Sequence, residues 1–311
     1  MRPGNRKQPT RAKSSESQYS IMEFMREFPD DETCLTWLWE NRYSPAGKNA
    51  VCPKCEELRA FERYHTKQQR QSWTCTACGH HIHPTAGTIF HKSSTSLHLW
   101  FYAIYLMTST RCGISAKQLE REIGVTYKTA WRMANLIRTK LMGDEGKPLS
   151  GDVEADEMYH GGYRKGRRGR GAAGKTPVFG MVQRQGHVVA MTVPNVRAKT
   201  LQTKMVERIL PSSSIFTDEL SVYDGIDYMN ENMGYRHQRI KHTERVYVSG
   251  DIHTNTIEGF WSLVKRGIGG VYHSVSAKHL QGYLNEYAWR YNQRNERRSM
   301  FRTLLLRTVG S

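Results

Sequence analysis

The sequence predicts a multidomain chain, in which a small cysteine ribbon and an α-helical pair precede an α/β domain with a mixed sheet flanked by helices. Three observations predict it. Four of the six cysteines stand in two Cys-x-x-Cys pairs, "CPKC" at 52–55 and "CTAC" at 75–78. From Leu97 to Met142 apolar residues recur at helical spacing. Beyond the glycine-rich "GDEGKPLSG" the texture changes to short alternating or apolar runs broken by glycine and proline, then to alternating helices and strands.

The composition limits what such a chain can do. Its 311 residues are 38% hydrophobic, enough for two or three cores, and 46 Lys and Arg against 29 Asp and Glu leave a net charge of +17. That excess points to a polyanionic partner, with nucleic acid first. A membrane partner is not expected, because no run approaches the ~18 apolar residues of a spanning helix and the amino terminus lacks the apolar core of a signal peptide. A cytoplasmic protein, nucleoid-associated in a bacterium, is the expectation. Thiols in that compartment stay reduced, so the paired cysteines point to metal rather than to disulfides.

Residues 1–18 are polar, basic and without periodicity, and read as a basic disordered tail. A helical lead-in and the ribbon occupy 19–92. "YSIMEFMREF" and "ETCLTWLWENRY" carry helical apolar spacing, with Asp30 or Asp31 as the cap of the second helix and Cys34 on its core side. Nineteen residues separate Cys55 from Cys75, the spacing of a zinc ribbon. Four thiolates, from Cys52, Cys55, Cys75 and Cys78, would close a tetrahedral site around one structural Zn²⁺ and leave no open position for chemistry. His80, His81 and His83 then read as surface residues, and Cys112 as a semi-buried thiol.

Residues 93–145 read as a helix-turn-helix DNA-binding domain. Ser115 caps a short helix, Gly124 breaks it and Thr126 caps the next, whose amino-terminal Tyr127, Lys128 and Arg132 would face DNA. Residues 151–311 hold the α/β domain and a C-terminal helix. In "DVEADEM", strand alternation puts Asp152, Glu154 and Asp156 on one face, and Asp156 lies near the strand's end. "SIFTDEL" repeats the pattern, with Asp218 after a buried strand. Alone, Asp218 reads as a turn or helix cap. In "HTNTIEGFWSLVKR", Glu258 and Lys265 fall two helical turns apart and nearly in line, with Asn255 to one side. Two strand-end acids and one helix acid make a cation site. Three carboxylates ~4 Å apart would repel by roughly 4 kcal/mol per pair unless they protonate or bind a cation. Oxygen-only ligands favour Mg²⁺ or Mn²⁺, and two such ions would suit in-line phosphoryl displacement.

"TAGTIFHKSSTSLHLWFYAIYLM", "GISAKQLEREIGVTYKTAWRMANLIR", "VEADEMYHGG", "FTDE", "HTNTIEGFWSLVKRGIGGVY" and "YLNEYAWRYNQR", together with "CPKC", resemble insertion-sequence transposases of the DDE type, specifically the ISXO-like group with a zinc ribbon in front. The resemblance covers almost the whole chain after the tail. It implies a ribonuclease H-like catalytic domain in which Asp156 and Asp218 bind two Mg²⁺ or Mn²⁺ ions. The group's Asp, Asp, Asn, Lys signature falls on Asn255 and Lys265, while Glu258 fits the usual DDE spacing. Both stay open as third ligand, Glu258 favoured on charge. Lys265 would contact phosphate. The group has glycine after the second knuckle cysteine, where this chain has Glu56.

The resemblance further implies cleavage at the DNA 3′ ends of the element and strand transfer into target DNA, by a homodimer or higher oligomer bound to terminal inverted repeats. A domesticated DNA-binding protein without chemistry, and a ribonuclease H-type nuclease or resolvase, are the rivals. Six basic residues follow the first acid, Arg164, Lys165, Arg167, Arg168, Arg170 and Lys175, at a density that suggests phosphate contact. Arg266 joins Lys265 as a DNA contact. Leu280, Tyr283, Tyr287 and Tyr291 form a packing stripe, while Arg290, Arg294, Arg297 and Arg298 would lie along DNA.

Overall fold

The computed structural model describes residues 19–64, 72–110, 112–161, 174–228, 233–240 and 253–310. The tail at 1–18 and five of the basic residues, Arg164, Lys165, Arg167, Arg168 and Arg170, lie outside the described residues. The chain divides into two compact units, one formed by 1–111 with 296–311 and the other by 112–295. This division cuts the 93–145 span that the sequence suggested as one domain. It also places the residues from Glu296 onward, grouped by sequence with 151–311, in the first unit.

In the first unit, α1 (Ile21–Glu27) opens with a capping box. The Ser20 hydroxyl accepts from Glu23 N and the Glu23 carboxylate accepts from Ser20 N at 2.6 Å. Asp30 caps α2 (Asp31–Arg42), accepting from Thr33 N at 2.8 Å, while Asp31 accepts from His98 N. Cys34 is buried, as its position on the apolar side required. The ribbon is an antiparallel sheet of β1 (Asn49–Val51), β2 (Leu58–Tyr64), β3 (Ser72–Cys75) and β4 (His81–Ile82). Trp39 of α2 stacks on Trp73 of β3 with ring centroids 4.8 Å apart. The apolar α3 (Leu97–Ser109) buries Trp100, Phe101 and Ile104, and Phe301 of α9 (Met300–Leu306) joins Phe24 and Phe28 in an aromatic cluster.

The two knuckles of the ribbon are built alike. Glu56 N donates to Cys52 O at 2.8 Å, and Gly79 N to Cys75 O at 2.9 Å. Both residues sit in the left-handed region, at φ 58° and 72°. Glu56 thus holds an angle that glycine adopts freely, at a cost of ~1 kcal/mol, and the first turn keeps the shape of the second.

In the second unit, α4 (Ala116–Ile123) and α5 (Tyr127–Leu136) form the helix pair read from the sequence. Ser115 accepts from Gln118 N, Gly124 ends α4 at φ 67°, and Thr126 accepts from Thr129 N. Leu119, Ile123, Ala130 and Met133 are buried. α5 widens into a π-helical turn, Ile137–Leu141, and Cys112 is exposed rather than semi-buried.

The sheet of this unit is mixed, as expected. β5 (Asp152–His160), β6 (Thr176–Gln183) and β7 (Val188–Thr192) form an antiparallel meander, and β8 (Ser214–Thr217) and β9 (Arg236–Arg239) add in parallel beyond β5, giving the order β7-β6-β5-β8-β9. Alternation along β5 divides the two cores. Val153 and Ala155 join Leu201 and Met205 of α6 (Ala198–Arg208), whereas Met158 joins Ile257, Phe260 and Trp261 of α7 (Asn255–Gly267) and Leu280 and Leu284 of α8 (Ala277–Asn292). Tyr283, Tyr287 and Tyr291 pack into this second core, as the stripe suggested. Arg290 does not lie along DNA. It is buried and donates to Glu286 at 2.8 Å, because the acid one turn before it faces inward. Among the described residues no helix is long and apolar enough to cross a membrane.

Candidate active site

β5 and β8 run parallel with Glu154 opposite Phe216, so Asp156 and Asp218, each two residues further on, are neighbours: Asp218 just past the end of β8, and Asp156 midway along β5, which runs on to His160 beyond the strand end the sequence suggested. Oxygens of Asp156, Glu157 and Asp218 lie within 4.8 Å of one another. Glu157 was not among the residues that sequence reasoning selected, because alternation sends it to the opposite face. It still reaches the group, with its Oε2 accepting from Tyr223 Oη at 2.8 Å. The adjacent acids Asp156 and Glu157 within a strand were the available signal. Asp218 Oδ1 also accepts from Leu220 N at 3.0 Å, the contact that the plain turn reading of this acid expects.

Burial pushes the Asp156 carboxyl up to about 7, and the charges of Glu157, Asp218 and Glu258 add to the effect. Glu258 stands outside the 4.8 Å group, yet its charge is felt at Asp156. It lies in the first turn of α7 with Asn255, both exposed, and Thr254 Oγ1 donates to its Oε1 at 3.0 Å. Lys265 and Arg266 are exposed in the last turn of the same helix.

Two further residues place α7 against the acids. Trp261 Nε1 donates to Asp156 Oδ2 at 3.1 Å. Gly180 pairs with Asp156 across β5 and β6, and a Cβ there would stand 2.4 Å from Trp261 Cζ2. The missing side chain on β6 is what lets the indole lie over the sheet and reach the carboxylate. Sequence reasoning placed both residues in regular elements without seeing that they meet.

The remaining candidates fall elsewhere. Tyr127 is 49% exposed at the start of α5, and Lys128 and Arg132 are exposed on the same helix. Lys175, at the start of β6, is half-buried. In the first unit, the Sγ atoms of Cys52, Cys55, Cys75 and Cys78 lie within 4.8 Å of one another, with Cys52 and Cys78 at 3.6 Å. Against the cost of burial, backbone N–H groups of Cys55 and Lys54 bring Cys52 down to about 7, while hydrogen bonding to Cys78 pushes Cys55 up to about 12. Four crowded thiols cannot all ionise unless a cation sits among them. The donor sets differ accordingly, sulfur for a soft divalent metal in one unit and oxygen for a hard one in the other.

The ISXO2-like transposase domain matches residues 148–292, a span that contains Asp156, Asp218, Asn255, Glu258 and Lys265. Over 264 residues the chain is 32% identical to the uncharacterized protein in transposable element ISH50 of Halobacterium salinarum, covering 78% of this chain and 86% of that relative. The chain belongs to the ISXO2-like insertion-sequence transposases. This transposase is also 30% identical over 105 residues to an uncharacterized transposase-like protein of Haemophilus influenzae, covering 34% of the chain and 80% of the relative. Among solved structures it is similar to the catalytic core domain of BIV integrase, at 13% identity and a TM-score of 0.32, over 48% of this chain and 86% of that one. It is also similar to the Mos1 protein of a pre-cleavage transpososome, at 10% identity and a TM-score of 0.27, over 68% of this chain and 78% of that one.

Proposed function

We propose that this transposase moves its own element by hydrolysis at the DNA 3′ ends followed by strand transfer, at a site where Asp156, Asp218 and Glu258 hold two Mg²⁺ or Mn²⁺ ions. The observation that carries this reading is the convergence of Asp156, on β5, and Asp218, just past the end of the parallel β8, with carboxylate oxygens within 4.8 Å of each other. Bound there, the ions would lower the pKa of a nucleophilic water and neutralise charge developing on the transferring phosphate. Glu258 supplies the third charge from α7, and the neutral Asn255 amide a further oxygen beside it. Glu157, tied to Tyr223, adds a fourth carboxylate. Lys265 and Arg266 would meet backbone phosphate.

The chemistry balances in two displacements. A water oxygen bonds to phosphorus as the 3′-oxygen leaves with a proton, freeing the element's 3′-hydroxyl. That hydroxyl then bonds to a target phosphorus as the target's own 3′-oxygen leaves. The meander followed by two parallel strands supports assigning the sheet to the ribonuclease H-like class. Exposed Tyr127, Lys128 and Arg132 support DNA reading by the helix pair, with Lys175 and the basic residues before it as further phosphate contacts. Holding two element ends calls for a dimer or larger assembly on DNA.

The test is to incubate the protein with labelled DNA flanking its gene and with target duplex, with and without Mg²⁺ or Mn²⁺. Metal-dependent 3′-end nicks followed by joined product are expected. Nicks that never join would favour a nuclease or resolvase, and specific binding without nicks a domesticated DNA-binding protein. For the four cysteines, one Zn²⁺ per chain is the proposal. Metal analysis should find it in wild type and lose it in Cys75→Ser, and folded protein without zinc would refute it.

A further inference from the structure

Glu154 faces the α7 side of β5, two residues before Asp156, and is 0% exposed. A carboxylate taken out of water persists only where its charge and lone pairs are matched. Here the matching comes from the start of α7. Glu154 Oε2 accepts from Thr256 N at 2.8 Å and Ile257 N at 3.0 Å, and Oε1 accepts from Thr256 Oγ1 at 2.9 Å. Arg184 Nε donates to Oε1 at 2.9 Å and its guanidinium also reaches the His253 carbonyl at 2.9 Å. The same guanidinium lies over the Phe216 ring at 4.0 Å, on the strand that leads to Asp218.

The residue in the ordinary capping position does not cap. Thr254 has non-extended backbone angles, φ −116° and ψ 21°, and its hydroxyl points to Glu258 instead. The first N–H groups of a helix need acceptors, and an uncapped first turn frays. For α7 the acceptor comes from the strand that bears Asp156. The negative charge of Glu154 also opposes the positive end of the helix dipole.

We infer that Glu154 is a positioning residue for the acid cluster. It caps α7 from the sheet and so fixes the turn bearing Asn255 and Glu258 relative to Asp156. On one face of one strand, one acid holds the helix and the next but one holds metal. The inference rests on reading Asp156, Asp218 and Glu258 as a metal site. Partners one step removed from a metal typically change its affinity by roughly 10–100-fold when lost.

The experiment uses the full chain and Glu154→Gln, the isosteric change that leaves Arg184 without its counter-charge. Three quantities are read: Mn²⁺ affinity by electron paramagnetic resonance, amide exchange at Thr256 and Ile257, and kcat and KM for cleavage. Mn²⁺ affinity should fall about 10-fold or more, with faster exchange at both amides and a loss in kcat at unchanged KM for DNA. Leu201→Ala, which loosens the opposite core, is the control. Equal loss of Mn²⁺ affinity in that variant, or unchanged affinity and exchange in Glu154→Gln, overturns the inference. Should Glu154→Gln not fold, Glu154→Gln with Arg184→Met removes the unpaired cation and carries the same readings. If wild type and Asp218→Asn bind Mn²⁺ alike, the metal reading fails, and exchange at Thr256 and Ile257 decides the capping role alone.

Discussion

Asp218→Asn is expected to reduce cleavage by about a thousandfold while leaving the fold and DNA affinity close to wild type. A metal-bound transition state draws several kcal/mol from charge neutralisation, and each 1.36 kcal/mol is a factor of ten in rate, so losing ~4 kcal/mol gives that factor. The companion Asp156→Asn should match it in activity and differ in stability. Asp156 has its carboxyl raised from 3.8 to about 7. A raised folded pKa contributes stability that is complete below the unfolded value and is lost as pH rises through the folded value. Metal-free protein should therefore weaken between about pH 4 and pH 7, by at most on the order of 4 kcal/mol. An amide at this position carries no charge, so the loss should be absent in Asp156→Asn. In wild type a divalent cation should restore it, giving Mn²⁺ a larger effect on the melting temperature at pH 8 than at pH 5. Equal melting with and without Mn²⁺ at both pH values would count against the cation site.

Glu286→Gln should cost about 3–5 kcal/mol and lower the melting temperature of the second unit by roughly 10 °C. Glu286 is 0% exposed and accepts from Arg138 Nε at 2.7 Å, Arg290 at 2.8 Å and Tyr272 Oη at 2.9 Å. Burial alone would raise its pKa, but Arg138 and Arg290 outweigh that and hold the carboxyl below the ordinary glutamate range. A depressed pKa means stability that is present above the unfolded value and lost as pH falls through the folded one, so this unit should fail in acid below about pH 4. The amide would take the Glu286 charge away from two buried guanidinium groups, those of Arg138 and Arg290. Arg138 also lies against the rings of Tyr272 and Tyr283, at 5.0 Å and 4.4 Å from their centroids. Replacing Arg138 and Glu286 together by Met and Leu should recover part of the loss, since one of the two guanidinium groups is removed while Arg290 stays. A double-mutant cycle followed by thermal melts checks this. A double variant no more stable than Glu286→Gln would show that shape rather than charge pairing holds this core.

What the sequence revealed was mostly local. Ser115, Gly124 and Thr126 mark helix ends through contacts within four residues, and the paired cysteines announce the ribbon by spacing. Asp156 and Asp218 were legible because one stands in a run of acids on a single strand face and the other follows a buried strand, patterns that need no knowledge of the partner strand. Interactions spanning long separations were not. Arg290 read as a residue lying along DNA, and what holds it inward is Glu286, itself paired with Arg138 far earlier in the chain. "RHQR" carries no apolar strand pattern and forms β9 by pairing in parallel with β8. Gly180, Trp261 and Asp156 meet from three elements, and no periodicity within any of them reports the meeting. The unusual run of acids on one face of β5 did call for an explanation. Its middle member, Glu154, hydrogen-bonds the first turn of α7.

The turn that ends α5 places Arg138 against Glu286 of α8 and the ring of Tyr272, at the end of the π-helical turn that continues α7. Tyr287 Oη also donates to Cys112 O at 3.0 Å, ahead of the helix pair, and no room remains at Gly113, where a Cβ would stand 2.1 Å from Tyr272 Oη. The helices that would read bases are thus not a module on a tether but are clamped to the body that carries the acids. On the proposed function, with α5 seated in a groove of DNA, that body would act as a ruler. The number of base pairs from the sequence read to the phosphate cut would then be set by the protein's own dimensions. Slack in the clamp would appear as imprecise ends.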